Sequence, residues 1–95
     1  MRDHIVIFTS EQKDFEEIRN NIVKKYADKN IDIQPKSFYR AYDSKTFGSI
    51  SHYCGLAIIA ENLPKELLFN IKNENIRIVD ADDEKIVECI YHRLK

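Results

Sequence analysis

Two carboxylates separated by a single residue form the strongest chemical pattern in this 95-residue sequence. Asp80 and Asp82 follow the stretch 76–79, in which apolar residues alternate with a charged one. Carboxylates at positions i and i+2 can jointly bind a Mg²⁺ ion whose remaining ligands are water and phosphate oxygens. The pattern is typical of a metal-dependent enzyme of phosphoryl or phosphodiester transfer, in which Glu61 or Glu11 would act as the general base.

The stretch 78–84, Ile-Val-Asp-Ala-Asp-Asp-Glu, resembles the DxD segment of Toprim nucleases and primases. That resemblance implies a divalent metal bound by Asp80 and Asp82. The chain departs from the family in two places: Phe8 and Thr9 stand where the family has a glutamate after its first strand, and no glycine follows the aspartates. We therefore favour the alternative that Asp82, Asp83 and Glu84 begin the last helix, where they would interact with its dipole.

A second candidate site consists of small polar residues after two strands. Thr9 and Ser10 follow the first apolar run and Asn62 follows another, and ligands of parallel open sheets bind beyond the carboxyl ends of the strands. Amides and hydroxyls there could bind a phosphate. However, the loop contains no glycine, and Glu11 would repel an anion. Helix capping is the favoured interpretation, with Thr9 and Gln12 spaced as a capping box.

His52 and Cys54 have the spacing of a nucleophilic pair on one face of a strand. Residues at i and i+2 of a strand lie about 6–7 Å apart at their Cα atoms, which is too far for a routine hydrogen bond. We therefore interpret Cys54 as a core residue and His52 as a residue at the strand entrance. Cys89 is interpreted as a packing residue of the last helix.

Aromatic and basic residues are interleaved in the middle of the chain. Arginine and tyrosine are enriched at the energetic centres of protein interfaces, and aromatic rings can also stack on bases. The sequence therefore predicts a surface that binds a protein partner, or a second copy of the chain. The predicted partner-binding residues are Phe38, Tyr39, Arg40, Tyr42 and Phe47.

The composition predicts one globular domain over residues 1–95. Hydrophobic residues make up 43% and charged residues 33% of the chain, which is typical of a chain rich in regular structure. The net charge of −1 gives no global basic field, so nucleic-acid binding is not expected. Because no apolar run approaches the ~18–20 residues of a membrane span and the two cysteines lack metal-site spacing, we predict a cytoplasmic protein without a cofactor.

Hydrophobic periodicity predicts alternating strands and helices. Continuous apolar runs indicate central strands at 4–8 and 54–60, because such strands are covered on both faces. Alternating stretches indicate edge strands at 31–34 and 76–79. Apolar stripes at helical spacing predict helices at 10–28, 64–73 and 83–94, the second of them capped by Asn62.

The segment 38–50 leaves two topologies open. If it contains a crossover helix, the sheet is parallel with strand order 2-1-3-4, a three-layer flavodoxin-like α/β fold. If it is a hairpin, the fold is a ferredoxin-like βαββαβ sandwich followed by a terminal helix. The two-sided apolarity of the first and third strands favours the parallel sheet.

The function predicted from these patterns is a small binding or regulatory protein that acts through a protein partner. No glycine-rich phosphate loop and no nucleophile with a base at hydrogen-bonding distance is recognisable. The alternative is a Mg²⁺-dependent phosphoryl- or phosphodiester-transfer enzyme that uses Asp80 and Asp82.

Overall fold

Four parallel strands in the order β2-β1-β3-β4 form the centre of the computed structural model, which describes residues 4–74 and 76–80. All three strand pairs run parallel, so the flavodoxin-like order is confirmed and the ferredoxin-like alternative is excluded. The strands are β1 (His4–Phe8), β2 (Phe38–Ala41), β3 (Cys54–Ile59) and β4 (Arg77–Asp80). The helices are α1 (Gln12–Ala27), α2 (Ser44–Ile50) and α3 (Lys65–Asn73), with short 3₁₀ turns at Pro35–Ser37 and Ser51–Tyr53.

The two continuous apolar runs form the central strands, as predicted. Ile7 of β1 pairs with Ile58 of β3, and both side chains are completely buried. The sheet has an apolar core on each face because successive side chains of a strand point to opposite sides. One core contains Ile5, Ile7, Leu56 and Ile58 beneath α1. The other contains Val6, Phe8 and Ala57 beneath α2 and α3.

Helix α1 buries the predicted apolar stripe. Phe15, Ile22 and Tyr26 are buried against the sheet, with Ile18 and Val23 packed beside them. After the helix, Asn30 adopts a positive φ of 61°, a left-handed conformation that asparagine tolerates better than most residues. The backbone N–H of the next residue, Ile31, donates a hydrogen bond to the carbonyl of Tyr26 at 2.9 Å. This turn reverses the chain toward the edge of the sheet.

The prediction of the second strand at 31–34 is wrong. That segment is an extended connection in which Ile33 is buried under α1 and Ile31 is half-buried, and the strand at this edge is Phe38–Ala41. Alternating apolar residues arise whenever an extended segment packs one side on a core. The pattern in 31–34 therefore reflects contact with α1 and not a hydrogen-bonded ladder.

The capping residues also differ from the prediction. The N-cap of α1 is Glu11 and that of α3 is Pro64, so the predicted caps at Thr9 and Asn62 are wrong. A reciprocal capping box occurs instead at α2. There Asp43 accepts a hydrogen bond from the Thr46 N–H at 2.8 Å, and the Thr46 hydroxyl accepts one from the Asp43 N–H at 3.2 Å. This cap ends β2 and starts α2 within the segment 38–50, so the crossover helix is shorter than that segment.

Helix α3 buries Leu67 and Ile71 against the sheet, while Phe69 on the same helix is 64% exposed. The predicted helix 83–94 and Cys89 lie outside the described residues.

Candidate site at the carboxyl edge of the sheet

The connections of the sheet reverse direction between β1 and β3. From β1 the chain goes outward to β2, whereas from β3 it goes to β4 on the opposite side. The loops after β1 and β3 therefore flank the position where open α/β sheets bind ligands. Backbone hydrogen bonds continue just past the strand ends, from Thr9 N–H to the Ala41 carbonyl and from Ala60 N–H to the Phe8 carbonyl, both at 3.1 Å.

At this position a carboxylate connects the two loops by hydrogen bonds. Glu61, in the loop after β3, accepts a hydrogen bond from the backbone N–H of Ser10, in the loop after β1. The hydroxyl of Ser10 donates a second hydrogen bond to the same carboxylate at 3.2 Å. The Ser10 N–H lowers the pKa of the Glu61 carboxyl most, partial desolvation opposes this effect, and the hydroxyls of Ser10 and Thr9 lower the pKa further. The two loops are thus joined through an ionised side chain.

The predicted phosphate-binding residues do lie at one edge, but Thr9 and Ser10 have hydrogen-bond partners within the protein. The Ser10 N–H donates to Glu61. Thr9 is buried, and its hydroxyl oxygen accepts a hydrogen bond from the Glu11 N–H at 3.4 Å. Asn62 is exposed beside Glu61. A phosphate at this edge would have to displace the Glu61 carboxylate from Ser10.

On its other side, Ser10 contacts strand β2. Its carbonyl accepts a hydrogen bond from the Arg40 guanidinium at 3.1 Å. The same guanidinium lies over the ring of Tyr42, 4.8 Å from the ring centroid, a distance typical of a cation–π contact. Arg40 is half-buried, whereas Tyr42 is 47% exposed. Arg40 and Tyr42 therefore form a contacting pair at the surface.

The structure separates the five predicted partner-binding residues. Phe38 and Phe47 are buried in the two cores, with the Phe47 ring 5.4 Å from the ring of Phe8. Their side chains are therefore core residues and not part of an exposed surface. Tyr39 stacks on His4 at 5.2 Å between ring centroids and packs on the α2 side of the sheet. Only Arg40 and Tyr42 come together at the exposed carboxyl edge.

The predicted metal ligands receive no test from this structure. Asp80 is the last residue of β4, but its side chain and Asp82 lie outside what the structure describes. Within residues 4–74 and 76–80, no group of three or more His, Cys, Asp or Glu side chains could hold a metal ion. Glu61 is poorly suited to serve as a general base, because hydrogen bonds that lower its pKa also lower its affinity for a proton.

The possible His-Cys pair is divided between a turn and a strand. Cys54 is buried at the start of β3, and His52 is exposed in the 3₁₀ turn that precedes it. This placement agrees with the interpretation of Cys54 as a core residue.

The sequence analysis named Ser10 as a phosphate-binding candidate and Glu61 as a possible general base, but it missed the contact between them. It also missed the exposed aromatic residues Tyr53 and Phe69. The signal for the contact was that Ser10 and Glu61 each follow closely on a predicted central strand, Ser10 two residues after 4–8 and Glu61 one residue after 54–60. The exposure of Phe69 could have been predicted from its position, because it lies between the buried Leu67 and Ile71 and off the apolar face of α3.

Comparison with protein-family models, with curated proteins and with solved structures found no match to this chain. Over the described part of the chain, no helix combines the length and the apolarity needed to cross a membrane.

Proposed function

We propose that this chain is a small binding or regulatory protein that contacts a protein partner through the exposed pair of Arg40 and Tyr42. The observation that carries the proposal is that Tyr42 is 47% exposed while the Arg40 guanidinium lies 4.8 Å from its ring centroid. Tyrosine and arginine dominate the energetic centres of protein interfaces, because each combines a large contact area with hydrogen-bonding groups.

The geometry of the pair would lower the entropic cost of association. Arg40 is anchored by its hydrogen bond to the Ser10 carbonyl, and its stacking on Tyr42 restricts both side chains before any partner binds. Side chains that are already ordered lose less conformational freedom on binding, and each mobile side chain otherwise costs roughly 0.5–1.5 kcal/mol. The pair therefore has the preorganisation expected of an interface centre.

Strand β2 adds a backbone surface next to this pair. It lies at one edge of the described sheet, and an edge strand exposes backbone N–H and carbonyl groups that can pair with an added strand. A partner that contacts Tyr42 could use both features. A second copy of the chain is one such partner, and sedimentation identifies it directly.

The test is affinity capture with matched variants. The immobilised protein is incubated with lysate of the cells that produce it, and captured proteins are quantified for the wild type, Tyr42→Ala, Arg40→Lys and Phe69→Ala. Arg40→Lys keeps the charge but removes the planar group that stacks on the ring. Phe69→Ala is the matched control, because it removes an exposed aromatic side chain from α3.

We expect the affinity for the captured partner to fall about 30-fold in Tyr42→Ala, the loss that corresponds to a ~2 kcal/mol interface centre. Arg40→Lys should weaken binding in the same direction, and Phe69→Ala should leave it unchanged. Equal capture by the wild type and Tyr42→Ala would contradict the proposal. So would the absence of any captured protein together with a monomeric wild type in sedimentation.

A further inference from the structure

Four residues form a continuous chain of contacts across the ends of three strands. Glu61, after β3, accepts hydrogen bonds from the N–H and the hydroxyl of Ser10, after β1. The Ser10 carbonyl accepts a hydrogen bond from Arg40 of β2, whose guanidinium covers the ring of Tyr42. The loop after β3 is thereby connected to the surface proposed above as the contact with a partner.

Ser10 is the pivot of this chain of contacts. Its neighbour Thr9 is buried and hydrogen-bonded to the backbone of β2, and Glu11 is the N-cap of α1. Ser10 itself is exposed, so little packing holds it in place. Its N–H and carbonyl belong to consecutive peptide groups, whose relative orientation is set by the φ and ψ angles of Ser10. The hydrogen bond to Glu61 and the hydrogen bond from Arg40 therefore restrict the same two backbone angles, and loss of the first leaves Ser10 held only by the second.

From this geometry we infer that Glu61 is a positioning residue for the Arg40–Tyr42 pair and acts through Ser10. When the Glu61 carboxylate is in place, the Ser10 carbonyl anchors Arg40, and Arg40 stays over the Tyr42 ring. When the carboxylate is removed or is captured by another group, Ser10 can rotate and the anchor of Arg40 is lost. The loop after β3 then controls how the pair is presented at the surface.

The inference relies on the proposed function for the role of this surface, but the coupling itself is a property of the free protein. It is tested by NMR of isotopically labelled protein without any partner. The signals to follow are the Ser10 amide, the Arg40 side-chain Nε–H and the Tyr42 ring protons. They are compared in the wild type, Glu61→Gln, Glu61→Ala and the control Glu66→Gln, which neutralises an exposed carboxylate in the first turn of α3.

We expect the Ser10 amide proton to move upfield in Glu61→Ala, since it loses a charged acceptor, and the Arg40 and Tyr42 signals to shift with it. Glu61→Gln keeps an acceptor oxygen without the charge, so its shifts should lie between those of the wild type and Glu61→Ala. Glu66→Gln should leave all three signals in place. Because Glu61 is exposed, both of its variants are expected to fold.

Shifts confined to Ser10 would overturn the inference, because Glu61 would then only join two loops. An unchanged Ser10 amide in Glu61→Ala would overturn it as well. Failure to capture a partner, together with a monomeric wild type, would contradict the proposed function but would leave these shifts measurable, so the two proposals fail in distinguishable ways.

Discussion

The backbone N–H of Ser10 donates a hydrogen bond to the carboxylate of Glu61, 51 positions away in the chain. The contact joins the loops that follow the two central strands, at the point where the connections of the sheet reverse. A charged hydrogen-bond acceptor of the protein's own thus lies where many α/β proteins bind an anionic ligand. This relationship distinguishes the site from an open phosphate-binding loop.

Acidification should destabilise the fold through two carboxylates. The pKa of Glu61 is lowered mainly by the Ser10 N–H, and the pKa of Asp43 is lowered mainly by the Thr46 N–H. Each group binds its proton less tightly in the folded than in the unfolded chain. Its contribution to stability is therefore complete above the ordinary pKa values of 4.5 and 3.8 and is lost as the pH falls through the lowered values.

Thermal melts at pH 7, 5, 4 and 3 measure this effect. The double variant Glu61→Gln/Asp43→Asn should lose less stability than the wild type between pH 5 and pH 3, because its side chains do not titrate. Asparagine also remains a good N-cap residue, so the variant should keep α2. Parallel pH profiles for the two proteins would show that these carboxylates do not contribute to the pH dependence of stability.

The central strands should not tolerate a charge. Ile7 and Ile58 pair across β1 and β3 and are completely buried, so Ile7→Asp or Ile58→Asp places an unpaired carboxylate in the core. We expect a loss of about 4 kcal/mol or more, which is most of the ~5–15 kcal/mol stability of a typical domain. Urea unfolding monitored by circular dichroism measures it.

The conservative variant Ile7→Val is the control, with an expected loss of about 0.5–1.5 kcal/mol. In the wild type, backbone amides of 5–8 and 56–59 should be among the slowest to exchange with solvent. A folded and stable Ile7→Asp variant would contradict the burial of this position.

Replacement of a helical glycine should stabilise the protein. Gly48 lies within α2, is exposed, and would place a new Cβ where nothing lies within 4 Å. Gly48→Ala removes the entropic cost of glycine in a helix, about 0.5–1 kcal/mol. For a domain of this size the midpoint of thermal unfolding should rise by roughly 2–8 °C. A lower midpoint would indicate that α2 does not form as described.

Thermal melts with and without divalent metal ions distinguish the proposed binding protein from the alternative of a Mg²⁺-dependent enzyme. A site at Asp80 and Asp82 would stabilise the fold by RT ln(1 + [L]/Kd), which is about 2.7 kcal/mol at a metal concentration 100 times Kd. As a binding protein, the chain should show no shift of its melting midpoint at millimolar Mg²⁺ or Mn²⁺. A shift that disappears in Asp80→Asn/Asp82→Asn would favour the enzyme.

Generic DNA or RNA should bind at most weakly. Contact of Lys36, Arg40 and Lys45 with three phosphates of a single strand would give a slope of about −2 for log K against log salt, at about −0.7 per contact. Arg40 already donates to the Ser10 carbonyl, and the chain carries a net charge of −1. Fluorescence titration with labelled oligonucleotides at ~150 mM salt tests this expectation. Submicromolar binding that is lost in Arg40→Ala would contradict it.

The sequence by itself determined the central strands and the buried stripe of α1, and it favoured the parallel sheet over the hairpin alternative that the structure excludes. The apolar run 5–8 can be covered only if both faces of its strand are packed, and this requirement places β1 and β3 in the middle. The stripe of Phe15, Ile22 and Tyr26 follows from helical periodicity alone. Such features depend on contacts that every compact arrangement of these segments must make.

Only the tertiary structure decided which residues form β2 and which of its side chains remain exposed. The alternation of Ile31 and Ile33 has the period of a strand, but the edge of β1 pairs with 38–41 instead. That register buries Phe38 and Ala41 and leaves Arg40 half-buried near Tyr42. The bond between Ser10 and Glu61 likewise exists only once β1 and β3 are paired. Local patterns cannot specify such contacts, because they depend on register and distance between segments that are remote in the chain.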